Sequence, residues 1–92
     1  EVVTISWNDG SYTGELSDGV PQGEGIFKHP DGLKYVGNWE MGLESGQGTL
    51  TYADGTFYVG EFENGKRHGQ GWMVDADGDI YFGEWKHDEK RD

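Results

Sequence analysis

Tyr12, Tyr35, Tyr58 and Tyr81 stand 23 residues apart, and most of the chain keeps step with them. Each opens the same phrase: Tyr12-Thr13-Gly14-Glu15-Leu16, Tyr35-Val36-Gly37-Asn38-Trp39, Tyr58-Val59-Gly60-Glu61-Phe62 and Tyr81-Phe82-Gly83-Glu84-Trp85. A fixed period of this size marks a tandem array, whose units are each too small to bury an apolar face and depend on their neighbours. Residues 1–92 therefore read as one stack: a capping strand and turn over about 1–11, units at 12–34, 35–57 and 58–80, and a partial unit at 81–92. Function is expected along the stacked surface.

All 17 glycines fall in four recurring slots. One lies inside the tyrosine phrase, a second is Gly19, Gly42 and Gly65, and a third is the doublet Gly23/Gly25, Gly46/Gly48 and Gly69/Gly71. The fourth is the Asp-Gly pair at 9–10, 31–32, 54–55 and 77–78, a strong hairpin signal between alternating runs. Between these marks the pattern has period two: Tyr58, Gly60 and Phe62 share one face, and Val59 and Glu61 point to the other. No apolar period of 3.6 is sustained. The pattern predicts eight strands, near 2–7, 11–16, 25–29, 33–39, 48–52, 56–62, 71–75 and 79–85. They are expected to pair as four hairpins joined by loops near 17–24, 40–47 and 63–70. The glycine of the tyrosine phrase should leave a gap that a ring from the neighbouring hairpin fills.

The phrase Tyr-x-Gly-x-Trp/Phe-x-x-Gly, then Gly-x-Gly, then Asp-Gly before the next tyrosine, resembles the MORN repeat. Gly65-Lys66-Arg67-His68-Gly69-Gln70-Gly71 is close to that family's Gly-Lys-x-His-Gly-x-Gly stretch, and the resemblance covers about residues 9–86. It implies an all-β fold: a single-layer, elongated, twisted antiparallel sheet of about four tandem β-hairpins, shaped like a gutter. It also implies scaffolding or partner binding, in some members as an accessory to a catalytic domain, in others linked to phosphoinositide-containing membranes. Leu16 departs from the usual aromatic, Gly10 makes the first turn one residue shorter, and Asp88 stands where glycine would follow Trp85. Both ends are thus atypical, as capping units of arrays are. The absent initiator Met and the charged tail 86–92 favour a fragment or a processed chain.

Composition narrows the partners. Without cysteine there are no disulfides, thiolate metal sites or cysteine nucleophiles, and a cytoplasmic placement is expected, with membrane or cytoskeletal association the variant. No apolar run approaches transmembrane length. The net charge is −11, and only Lys28 and Lys34 are basic before residue 66. Nucleic acid requires a clustered basic footprint, so it is excluded as a partner. Anionic lipid is disfavoured, because each basic residue near such a surface contributes about 1 kcal/mol and acids oppose it. Lys66-Arg67-His68 is the one basic cluster, read as a solvated inter-hairpin loop with a lipid phosphate contact as the alternative.

No catalytic constellation emerges, and no cofactor or metal site is expected. Asp75-Ala76-Asp77-Gly78-Asp79 resembles the start of a calcium loop but has glycine at position four instead of six, and it occupies the recurring turn slot. Glu15, Glu61 and Glu84, with Asn38 in the same slot, read as an acidic row on a solvated face. His29, His68 and His87 occupy three unlike slots. That leaves 13 aromatic rings in a strongly polar chain. Tyr35, Trp39, Tyr58, Phe62, Tyr81 and Trp85 are expected to line an acid-rimmed groove or to ladder between hairpins. The expected function is a non-catalytic protein–protein interaction or scaffold module, holding a peptide, an amphipathic helix or a neighbouring domain whose Lys or Arg side chains flank its apolar contacts. The alternative is a peripheral phosphoinositide-binding module acting through Lys66, Arg67 and His68. Open edges at 2–7 and 79–85 also invite end-to-end self-association.

Overall fold

The computed structural model describes residues 2–91, with the backbone alone at 90 and 91. Nine strands succeed one another in sequence order across one antiparallel sheet: β1 (Val2–Trp7), β2 (Gly10–Ser17), β3 (Val20–Lys28), β4 (Lys34–Glu40), β5 (Leu43–Thr51), β6 (Phe57–Glu63), β7 (Lys66–Val74), β8 (Ile80–Lys86) and β9 (Glu89–Arg91). The expected all-β open sheet of tandem hairpins is what forms, with two corrections. A short ninth strand, β9, follows the eight expected ones among the described residues, and the regions expected as loops at 17–24, 40–47 and 63–70 are mostly strand. Only residues 18–19, 41–42 and 64–65 turn there, and their φ angles are all positive: 51° and 82° at Asp18 and Gly19, 51° and 84° at Met41 and Gly42, 52° and 82° at Asn64 and Gly65. Two positive φ values in a two-residue loop define the turn whose twist matches the flanking strands. At the other end of the hairpins, Asp31, Asp54 and Asp77 sit in three-residue turns closed by Gly32, Gly55 and Gly78.

The strands run longer than the alternation suggests because the pairs β2–β3, β4–β5 and β6–β7 each carry a bulge. Gly60 pairs with Gly71, but Phe62 pairs with Arg67, so two steps along β6 face four along β7. The same shift recurs at Gly14/Leu16 and Gly37/Trp39. The first glycine of each doublet absorbs it, as at Gly69 with φ 76°. The Glu61 carboxylate accepts the bulged Gln70 N–H at 3.1 Å, giving one member of the acidic row a structural duty. Beyond the bulge the hairpin ends lean onto one another. Gly42 N–H donates to Pro21 O, Gly65 N–H to Glu44 O and Asp88 N–H to Arg67 O, at 2.9, 2.9 and 3.0 Å.

The molecule measures 38 × 23 × 18 Å. Eight inter-strand steps of about 4.8 Å account for the long dimension, so the strands file along a nearly straight axis. A flat single sheet would be roughly 10 Å thick. Curvature therefore lies along the strands, as in a gutter. Edges remain at β1 and along Ile80–Gly83 of β8; β9 covers the rest of β8, a correction to the fully open edge expected over 79–85.

One face holds the core. Ile5, Tyr12, Phe27, Tyr35, Leu50, Tyr58, Met73 and Tyr81 lie opposite one another across eight strands. Beside them runs a row of glycines, with Gly60 paired to both Gly48 and Gly71. The tyrosine rings lie down across this row. A Cβ on Gly25, Gly48 or Gly71 would run into the ring of Tyr12, Tyr35 or Tyr58. Each hydroxyl then donates to the carbonyl three residues on, at 2.6, 2.9 and 3.0 Å for Glu15, Asn38 and Glu61. So it is the second glycine of the doublet that receives the neighbouring ring, while the glycine of the tyrosine phrase admits the facing backbone.

Burial pushes the Tyr58 phenol up to about 12, despite the opposing Arg67 charge, and pushes Tyr35 up as well. In the unfolded chain these groups ionise near 10. Stability present below pH 10 is therefore lost as pH climbs towards 12. Denaturant unfolding is expected to need less denaturant at about pH 11 than at pH 8, with the buried Tyr35 and Tyr58 ionising only as the sheet melts. Free ionisation of all five tyrosines near pH 10 with an intact β-sheet spectrum would contradict the sealed row.

Candidate functional site

The bend of the strands sets two faces, and the ring face is the one expected to bind. Trp39 stands edge-on between Tyr12 and Tyr35, each 5.2 Å away. Phe62 stands between Tyr35 and Tyr58 at 5.1 and 5.2 Å, and Trp85 meets Tyr58 at 5.4 Å. Trp39 Nε1 also donates to Gly25 O at 3.3 Å. Tyr35 and Tyr58 are fully buried, and Trp39, Phe62 and Trp85 nearly so. The structure thus joins five of the six expected groove residues into a ladder with Tyr12. Tyr81, half-exposed, extends the row at its end. The rings fill the space along the middle of this face.

This face opens in a cleft of about 240 Å³ near the first hairpins, lined by Trp7, Phe27, His29, Trp39, Leu43 and Glu44 among others. Leu43 is exposed. Trp7 Nε1 is buried with no acceptor among the described residues. Glu44 occupies the slot of Pro21 and Arg67 in the other units, and burial holds its carboxyl above the usual carboxylate range. Trp7, Leu43 and Glu44 do not stand out in the sequence. Trp7 lies outside the 23-residue phrase, and the cleft needs strand where the glycine spacing suggests loop.

The basic cluster opens strand β7; it is not a loop. Arg67 N–H and Nε donate to Asp88 Oδ1 at 2.7 and 3.2 Å, and Nη2 donates to Asp88 O at 2.9 Å. Its guanidinium lies 4.8 Å over Trp85. His68 Nε2 is 3.1 Å from Glu63 Oε1, and Lys66 stands opposite Glu63 in register. Arg67 and His68 therefore each meet a carboxylate, while Lys66 is exposed. The Asp75 segment is a turn: Asp75 Oδ1 accepts the N–H groups of Asp77 and Asp79, both at 3.0 Å. His68 and His87 approach to 5.9 Å, His29 lies apart beside Asp31, and no group of three or more metal-type ligands occurs among the described residues. The acidic row lies on the face opposite the ladder, but amides interrupt it: Glu24 faces Asn38, Gln47 faces Glu61, and Gln70 faces Glu84.

A meander of 23-residue hairpin units, coupled by an alternating ring ladder, defines a tandem β-hairpin repeat protein. A family model for the MORN repeat matches residues 12–34, 35–57, 58–80 and 81–90, and the chain belongs to the MORN-repeat family. No curated protein matches it. MORN repeats are a non-catalytic module that engages proteins or membranes.

Proposed function

We propose that this array is a scaffold module that holds a protein segment, from a partner or a neighbouring domain, along its ring-lined face. The observation that carries this is the cleft beside Trp7 and Trp39, where aromatic and aliphatic walls meet the Glu44 carboxylate. Apolar walls with one partly buried acid favour an apolar segment with a Lys or Arg next to it. In this reading Trp39 contributes a wall, Tyr81 an exposed ring at the far end, and Tyr35, Tyr58, Phe62 and Trp85 the ladder that holds them. A protein partner is favoured over phosphoinositide because Arg67 and His68 already meet carboxylates, within a chain of net charge −11.

Selection of displayed peptides on the array tests the reading. Enriched peptides should carry Lys or Arg beside Leu, Ile or Phe. They should bind Leu43→Asp about tenfold more weakly, roughly 1.4 kcal/mol. A cation beside Glu44 favours its charged form, so affinity should fall as pH drops through the raised Glu44 pKa, and Glu44→Gln should flatten that dependence. Peptides indifferent to Leu43→Asp would place the site elsewhere. Sedimentation with phosphoinositide vesicles at low salt, lost in Lys66→Ala, would favour the lipid reading instead.

A further inference from the structure

The face opposite the ladder has its own order. Thr13, Ile26, Val36, Thr49, Val59, Trp72 and Phe82 lie directly opposite one another on β2 to β8, making one row across the sheet that is apolar but for the two threonines. Ile26, Val36 and Val59 are 37–40% exposed, and Trp72 and Phe82 are 49% and 56% exposed. The Trp72 and Phe82 rings sit 4.6 Å apart. In a chain of mean hydropathy −0.83, a contiguous exposed row of this kind marks a contact surface.

We infer that this outer face is a second docking surface, separate from the ring-face cleft, and that its occupant is an amphipathic helix with Lys or Arg along one flank. Spacing selects the helix. Members of the row are one strand apart, about 4.8 Å, and the file of strands is nearly straight. A helix presents an apolar side chain about every 5.4 Å, once per turn, whereas an extended chain presents same-face side chains about every 6.6 Å. Over the five steps from Ile26 to Phe82 the helix drifts by roughly 3 Å and the strand by roughly 9 Å. About 16 helical residues cover that distance. Because the row runs across the strands, it offers no backbone edge for strand addition.

Charge selects the flank. One side of the row carries Glu24, Glu61 and Glu84 with amides between them, which favours Lys or Arg on the helix there. The other side begins with the facing pair Lys28 and Lys34 and ends in Phe57, Val74 and Ile80. The helix should therefore widen its apolar stripe over β6–β8 and carry an acid opposite the two lysines.

The test uses a synthetic 18-residue helical peptide with a Leu stripe, Lys on one flank and Glu on the other. Controls are the same peptide with all Lys replaced by Glu, and one broken by central prolines. The Lys-flanked peptide is expected to bind saturably and to shift the amide resonances of Val36, Val59 and Trp72. Trp72→Ser with Phe82→Ser should weaken binding at least tenfold while leaving the ladder and most of the thermal stability intact. Glu24→Gln with Glu84→Gln should reduce the salt dependence, and Leu43→Asp should change nothing, so this proposal and the ring-face reading fail separately. Equal binding of the proline-broken peptide, shifts confined to the ring face, insensitivity to Trp72→Ser/Phe82→Ser, or no binding would overturn the inference.

Discussion

Gly60→Val is expected to lower the melting temperature by about 15–25 °C, the equivalent of roughly 3–4 kcal/mol in a domain of this size. Gly60 has an ordinary strand conformation, so the penalty is purely one of space. A Cβ there would lie 2.5 Å from Gly71 Cα and 2.6 Å from Gln70 O, with the Tyr58 hydroxyl at 2.8 Å. Two of those three obstacles are backbone atoms of the next strand, which cannot rotate aside. To admit the methyls of valine, β6 and β7 must separate, losing ladder hydrogen bonds and the Tyr58 to Glu61 contact together. Gly55→Ala is the matched control: Gly55 sits at φ 94° with open space around it, so only a conformational cost of about 1 kcal/mol applies. Differential scanning calorimetry on both variants decides the matter. A Gly60→Val protein melting within a few degrees of the parent would mean that the glycine row does not set the strand spacing.

The sheet was legible because its determinants are local and repeated. The 23-residue spacing of tyrosine fixes which residues face each other, and the alternation in Tyr58-Val59-Gly60-Glu61-Phe62 fixes which side they point to. The tight turns were obscured by their own composition and by the glycines just beyond them. Asp18-Gly19 and Asn64-Gly65 are good two-residue hairpin turns, but Met41-Gly42 fills the same slot without the usual Asn or Asp. The glycine doublet beyond each turn then looks like loop, when its first member only bulges a continuing strand. The site was half legible for a related reason. Alternation shows that Tyr35, Trp39, Tyr58 and Phe62 share a face, but not whether that face is open. Sealing depends on each tyrosine lying flat over a glycine of the next strand and on the edge-on ring of the neighbouring unit, distances that no single unit encodes. The row on the opposite face is hidden in the sequence because Ile26, Val36, Val59, Trp72 and Phe82 align only once the register is known.

Trp39→Ala is expected to cost about 3–5 kcal/mol, and the loss should be uneven along the array. Trp39 is the hinge of two units: it packs edge-on against Tyr12, Tyr35 and, at 6.3 Å, Phe27, and donates to Gly25 O. Removing the indole leaves a void between the first and second units and takes the Nε1 donor away from Gly25 O. In a one-dimensional stack each unit answers only to its neighbours. Hydrogen exchange should therefore quicken in β1–β3 while β6–β8 keep most of their protection. Trp85→Ala offers the contrast. Its ring meets Tyr58 and the Arg67 guanidinium, its Nε1 has no acceptor among the described residues, and no further unit comes after it within them. That substitution should fray β8 and β9, with less effect on the midpoint of the main transition. If exchange instead rises uniformly in both variants, the rings do not couple neighbouring units pairwise, and the array melts as a single globular core.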